Sequence, residues 1–310
     1  MDRVFFIGLI IGVISRLIML NLDSKQYPTH PNILVSQIVL AVVASALGAL
    51  LIPALINRSY TSITFLSLAA EQFRQVRSNR RDTLQSLEST ELIKRGNSFI
   101  EEIARTYEIR NYMCIITSFI TVGLYYGLIK ETTITKDISI IISSVVGLSI
   151  ALILRKLLKR QSLEDIAEVS IVDISFVNES ILKVGNLKGI TNIGLKADRE
   201  RYLKDGVGIE IRPKDNSYKN AGILNYPGQR QVICYNLYSR LGVLRQDNES
   251  AFTPIPRKDP NTQFLYIAFI PIEKDEEKVI EAVKSCPVLD SARGKYLAMK
   301  NMKIERKEIW

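Results

Sequence analysis

Four stretches of this 310-residue chain are apolar on every side, and they constrain its fold more than any other feature. Residues 4–22 read VFFIGLIIGVISRLIMLNL and residues 33–56 read ILVSQIVLAVVASALGALLIPALI; residues 112–129 and 138–154 follow the same pattern. No regular alternation of polar and apolar positions survives in them, so none can present a solvated face. Each approaches or exceeds the ~20 residues that a helix needs to cross hydrocarbon. The pattern predicts a four-helix transmembrane domain over residues 1–160. A cleaved leader explains the first span poorly, because Asp2 and Arg3 make a weak basic region and no small-residue cleavage site follows.

Charge predicts the orientation of these spans. Residues 1–160 hold 18 Lys/Arg against 11 Asp/Glu, and residues 161–310 hold 23 against 21, so the apolar half carries most of the net +9. The C-terminal half therefore lacks the basic tract that a phosphate-binding face needs, which argues against nucleic acid as a partner. Residues 57–110 contain nine Lys/Arg and RKLLKR at 155–160 adds four, whereas the loops after the first and third spans carry only Lys25, Lys130 and Lys136. The positive-inside bias then predicts a multi-pass protein of the inner (cytoplasmic) membrane, with both termini and residues 57–111 in the cytoplasm and the two short loops outside.

Arg16 is the costly residue of the first span, at about 2.5 kcal/mol or more near a helix centre. It either snorkels to the outer interface or pairs with a carboxylate, for which Asp23 is the nearest in sequence. Pro53 is expected to kink the second span near its end.

Between the second and third spans, Phe65, Ala69, Phe73, Val76, Leu84 and Leu87 recur at helical steps, which predicts an amphipathic helix. KRG at 94–96 marks its stop, and Asn97 or Ser98 caps a second helix with Glu101 or Glu102 in its first turn. The whole reads as a cytoplasmic helical hairpin over 57–111. Glu71, Glu101, Glu102, Arg105 and Arg110 crowd beside the bilayer and are the candidates for acid–base chemistry. EEIAR stops short of a glutamate-protease EExxxR pattern, no span contains a histidine, and HExxH is absent. A salt-bridged helix face, with Glu101 and Arg105 as i,i+4 partners, is the alternative use of the same residues.

Beyond Arg160 the pattern changes. Residues 169–177, 206–213 and 263–272 are β-branched and aromatic runs that predict strands, and residues 195–206, 228–242 and 274–286 predict helices, together an α+β cytoplasmic domain over 161–310. PIPRKDP at 254–260 reads as a rigid surface turn, and Arg230, Arg257 and Lys258 as a possible lining for an anion. Neither GxGxxG nor GxxxxGK[ST] occurs, which argues against a nucleotide cofactor. Cys114, Cys234 and Cys286 lack CxxC spacing and His30 stands alone, so neither a disulfide framework nor a metal site is expected.

LGALLIPALINRSYTSITFLSLAAEQFRQVRSNRRDTLQSLESTELIKRG, SFIEEIARTYEIRNYM, GQRQ, FTPIPRKD and PVLDSA together resemble the YIEGIA family of integral membrane proteins from endospore-forming Firmicutes. FIEEIA at 99–104 stands where that family carries its six-letter signature, with Phe99 and Glu102 departing from it. The resemblance implies a sporulation-associated regulatory membrane protein paired with a very small capping-type cytoplasmic protein, and it leaves room for homo-oligomers. It also matches Glu71, Arg74, Arg77, Glu101, Arg110 and Asn111 to the family's polar positions. With Arg230 and Arg257, residues Arg74, Arg77 and Asn111 are the expected partner- or ligand-binding positions. The enzyme alternative is a membrane-anchored regulatory protease with its site at the cytoplasmic mouth.

Overall fold

In a computed structural model of the chain, residues 2–27, 31–131, 135–214, 218–245 and 252–293 are described. They divide between two compact units, Met1–Leu84 with Ile103–Lys159, and Gln85–Glu102 with Arg160–Trp310.

The first unit is built from α1 (Asp2–Gln26), α2 (Pro31–Ile56), α3 (Tyr60–Leu87) as far as Leu84, α4 (Asn97–Glu131) from Ile103 on, and α5 (Lys136–Leu158). Four of them, α1, α2, α4 and α5, are long and apolar enough to cross a membrane. Their outward faces carry Phe6, Ile10, Val35, Val39, Ile141, Val145 and Ile153, all exposed, as lipid-facing surfaces do. Inward, small residues let the backbones approach. Gly12 faces Ser45 and the carbonyl of Cys114, and Gly48 lies against the Ile115 backbone. Phe73 of α3 is buried with Ala41, Ala44 and Cys114, so this helix packs along its neighbours within the unit.

One contact in this packing bears on the expected crossings. Four crossings with residues 57–110 in the cytoplasm would set Asp23 and Arg110 on opposite faces of the bilayer. In the structure Arg110 Nη2 donates to Asp23 Oδ1 at 3.1 Å, so the end of α1 and the start of the apolar part of α4 share one level.

The second unit opens with α6 (Leu163–Ile166) and a strand series: β1 (Ala167–Val172), β2 (Ile174–Val177), β3 (Ile181–Val184) and β4 (Leu187–Asn192). Then come α7 (Lys196–Asp205), β5 (Val207–Pro213), α8 (Tyr218–Leu224), α9 (Pro227–Leu241), β6 (Ile255–Lys258), β7 (Leu265–Phe269) and α10 (Glu276–Lys284). An antiparallel sheet runs in the order β1-β5-β7-β6, with Ile209 opposite both Ile171 and Ile267, and a three-stranded sheet runs β2-β3-β4. A side chain added at Gly208 would meet Val184 and Ile174, so that face of β5 covers the smaller sheet. Alternation then turns Ile209 and Ile211 to the other face, and α8 also packs on β5. Both are fully buried, as is every residue of β7. Asp275 caps α10 by accepting from the Glu277 and Lys278 backbone N–H groups at 3.1 and 3.2 Å.

The short strands β3 and β4 were not marked by the sequence pattern. PIPRKDP, expected as a surface turn, contains β6, an edge strand; an edge tolerates Pro256, which has no N–H to give to a neighbour. KRG does not end α3, which stops at Leu87; Gly96, at φ +85°, instead precedes α4 and its carbonyl accepts from Phe99 and Ile100.

The close α2–α4 contact gives a paired test. Gly48→Ala drives a methyl group into the Ile115 carbonyl and should cost about 1–3 kcal/mol. Gly127→Ala meets nothing within 4 Å and should leave stability unchanged or slightly raised. Thermal unfolding of the detergent-solubilised protein distinguishes the two.

Candidate functional site

The ionisable residues gather in two places, one in each unit. In the first unit, the apolar face of α1 is interrupted by Arg16 at 1% exposure, and α4 supplies Arg110 at 2%. The single carboxylate between them is Asp23. Arg16 Nη1 donates to Asp23 Oδ2 at 2.6 Å, and Arg110 donates through Nε and Nη2 to Asp23 Oδ1 at 3.2 and 3.1 Å. Arg16 therefore takes the paired role rather than snorkelling. The chain of bonds continues outward: Arg16 Nη2 donates to Gln37 Oε1 at 2.6 Å, and Gln37 Nε2 to the Tyr107 hydroxyl at 3.0 Å. The Arg80 guanidinium lies 4.9 Å from the centre of the Tyr107 ring. Arg110 also reaches the Leu158 carbonyl at the end of α5, at 3.4 Å. Two buried cations share one buried anion, an arrangement that persists only because hydrogen bonds take up the remaining N–H groups.

The second cluster surrounds the FIEE stretch. Glu102 is buried, accepts from Arg160 Nη1, and accepts the Asp290 backbone N–H at 3.1 Å. Arg160 Nη2 lies 3.5 Å from Asp290 Oδ2. A few residues earlier, Arg95 donates to Glu91 at 2.8 Å and stacks 4.7 Å over Tyr235, while Gln231 Nε2 donates to the Lys94 carbonyl at 3.1 Å. Helix α9 thus holds residues 94–95, and Phe99 meets Tyr235 edge-on at 6.2 Å.

The expected acid–base residues are not brought together by these clusters. Glu102 and Arg110 are buried in separate ion pairs, Glu101 is half-buried, and Glu71 and Arg105 are exposed. Of the expected binding positions, Arg77 lies 3.5 Å from Glu108 and Asn111 is buried, whereas the Arg74 side chain lies outside the described residues. Arg257 is exposed on β6 and donates to the Ile190 carbonyl at 3.0 Å. Arg230 belongs to α9, where its Nε is buried without a partner among the described residues, and no hydrogen bond or ion pair there joins it to Arg257.

A concave surface that sequence reasoning missed lies between β4, α7 and the start of β6. This cavity of about 390 Å³ is lined by Thr191, Asn192, Leu195, Asp198, Tyr202 and Phe252, among others. Tyr202 and Phe252 form an edge-to-face pair at 5.5 Å. Asp198 supplies its charge: the residue is buried, and its Oδ1 has no hydrogen-bond partner among the described residues. Burial, with the Asp198 charge beside it, pushes the Tyr202 hydroxyl up to about 12, so it stays protonated and able to donate at neutral pH. An acidic residue in a ten-residue helical pattern gives no sign that it faces a cavity, which is why Asp198 did not stand out.

Long apolar helices joined to an antiparallel α+β unit define a polytopic membrane protein with a folded appendage. The chain belongs to the YIEGIA family, whose family model, described as YIEGIA protein, matches residues 4–299. It is 35% identical over 285 residues to "Uncharacterized protein YphB" of Bacillus subtilis (strain 168), covering 92% of this chain and 91% of that protein. No solved structure matches it.

Two outcomes follow from these clusters. Asp23→Ala strands two buried guanidiniums and should destabilise the helical unit by about 3–5 kcal/mol, whereas Asp82→Ala, at an exposed ion pair, should change stability by about 1 kcal/mol or less. Denaturant titration of the solubilised protein reads both. The thiols give a second check. Burial pushes Cys234 up to about 12 and raises Cys286 as well, so both remain neutral and unreactive through pH 8. Maleimide should modify neither in the native protein, and both after denaturation.

Proposed function

We propose that the protein is a non-catalytic docking protein of the cytoplasmic membrane that receives a small cytoplasmic protein through its α+β unit and acts during sporulation. The observation that carries this reading is how the charged residues are used. Those that suggested acid–base chemistry are either spent in separate structural ion pairs or exposed without a shared cavity. General acid–base catalysis needs its groups converging on one reacting atom. No geometry among the described residues favours the protease alternative.

The Asp198 cavity is the docking site in this reading. A carboxylate that lines a cleft with an aromatic wall, and has one oxygen without a partner among the described residues, suits an amine or guanidinium on an apolar stem, such as a lysine or arginine side chain of the partner. Leu195, exposed at the rim, adds apolar contact. The sporulation setting and the small capping-type partner rest on the family resemblance, and the cytoplasmic placement rests on the Lys/Arg bias.

A photo-crosslinking residue at Leu195 in sporulating cells tests the reading. We expect one discrete adduct to a small protein. With that protein purified, Asp198→Asn should weaken binding by about 2 kcal/mol or more, roughly thirtyfold. An adduct and an affinity indifferent to Asp198→Asn would sink the docking site. Cleavage of the captured protein, lost on Glu102→Gln, would replace docking with proteolysis.

A further inference from the structure

The contacts of the first unit fix the direction in which each helix runs. Val4 packs with Ala49 and Val122, Gly12 faces Ser45 and Cys114, and Asp23 meets Arg110, so α4 runs opposite to α1. Gln37 meets Tyr107 and Ala49 meets Val122, so α2 and α4 run the same way. The chain leaves α2 at Ile56, close to the level of Val4 and Phe5, which already pack with Ile52. It must then travel back along the bundle before the Tyr107–Arg110 stretch of α4 can lie beside Gln37 and Asp23. That return is α3. Its Phe73 lies level with Ala41, Ala44 and Cys114, and its Arg77 and Arg80 lie level with Glu108 and Tyr107. The roughly twenty residues from Tyr60 to Arg80 rise about 30 Å, the thickness of the hydrocarbon core.

We infer that α3 is a fifth membrane crossing, and that the outward face of its first half is covered by lipid acyl chains. Tyr60 is 79% exposed, Phe65 68% and Leu68 63%, alongside the exposed Leu50, Leu55 and Ile56 of α2 at the same depth. This apolar surface is therefore continuous with that of a helix apolar enough to cross a membrane by itself. Two hydroxyls of the stretch are met by the helix itself: Thr64 donates to the Tyr60 carbonyl and Ser67 to the Ile63 carbonyl, each at 3.0 Å. Charges begin only at Glu71, on the approach to the end that holds Arg16, Asp23 and Arg110, where long side chains can snorkel. That charged second half of α3 hides the crossing from a hydropathy pattern.

With five crossings, the Asp2 end of α1, the α2–α3 link and the start of α5 share one side of the membrane. The end of α3 and the end of α5 share the other. The second side carries Arg77, Arg80, Arg81, Arg155 and Lys156, so the positive-inside bias makes it cytoplasmic and puts the Asp2 end of α1 outside. This inference does not depend on what the α+β unit docks.

Cysteines introduced at exposed positions decide it. Asn57→Cys, Asp137→Cys and Thr90→Cys, each in the full chain, are exposed to a membrane-impermeant maleimide in intact and then permeabilised cells. Asn57→Cys and Asp137→Cys should label in intact cells, Thr90→Cys only after permeabilisation, and the unsubstituted protein, whose cysteines are buried, in neither. Labelling of Asn57→Cys and Thr90→Cys from the same side overturns the fifth crossing. Labelling of Thr90→Cys alone in intact cells upholds the crossing and overturns the orientation.

Discussion

The Asp23 carboxylate, held between Arg16 and Arg110, is the contact on which the helical unit depends. Apolar packing between helices in lipid has little directional preference, because acyl chains are as apolar as leucine. A shared carboxylate is different. It can be satisfied at only one relative position of α1 and α4, and a slip by one turn would leave charges buried alone. The net contribution of such a group to stability is modest once desolvation is counted, but the penalty for misplacing it is large. The triad therefore selects register and direction more than it adds energy. Gln37 and Tyr107 extend the same constraint to α2, and the Leu158 carbonyl extends it to α5.

The same logic accounts for the FIEE stretch inside the second unit. Phe99 and Ile100 are buried, and Glu102 is enclosed with Arg160 and the Asp290 amide as partners. A glycine at position 102 could supply neither contact. The arginine that pairs with it, Arg160, is the last residue of RKLLKR and lies just beyond the end of α5. Arg95, paired with Glu88 and Glu91 and stacked on Tyr235, holds the link that precedes it.

What the sequence revealed follows from how each element is stabilised. Helices α1, α2, α4 and α5 were legible because lipid demands apolar residues all round, a signal carried by every position. Helix α3 was legible as a helix but not as a membrane element, since its apolar half is about eleven residues long and the rest is charged. Strands β5 and β7, buried on both faces, were marked by continuous β-branched and aromatic runs. The edge strand β6 carries a proline and two cations, and β3 and β4 are too short to show an alternation. Pairings were the least legible part. Asp23 and Arg110 lie 87 residues apart, and nothing in the local sequence of either announces the other. Asp198 could not be told from any solvated helical acid.

A crowd of charged residues in a membrane protein is a poor guide to chemistry until it is known which of them are already spent. Glu102, Arg110, Arg16 and Asp23 are the most conspicuous ionisable groups in the chain, and each is occupied by the fold. Reaching any of them with a substrate would require breaking a buried ion pair, at a cost of several kcal/mol before any catalysis began. Asp198 differs in kind. It is buried, it borders a space large enough for a side chain, and one of its oxygens has no partner among the described residues. One of its oxygens has left water without a compensating bond among the described residues, so a cation delivered to the cavity has a bond to gain there. The unspent group, rather than the conspicuous ones, is where an incoming partner has most to gain.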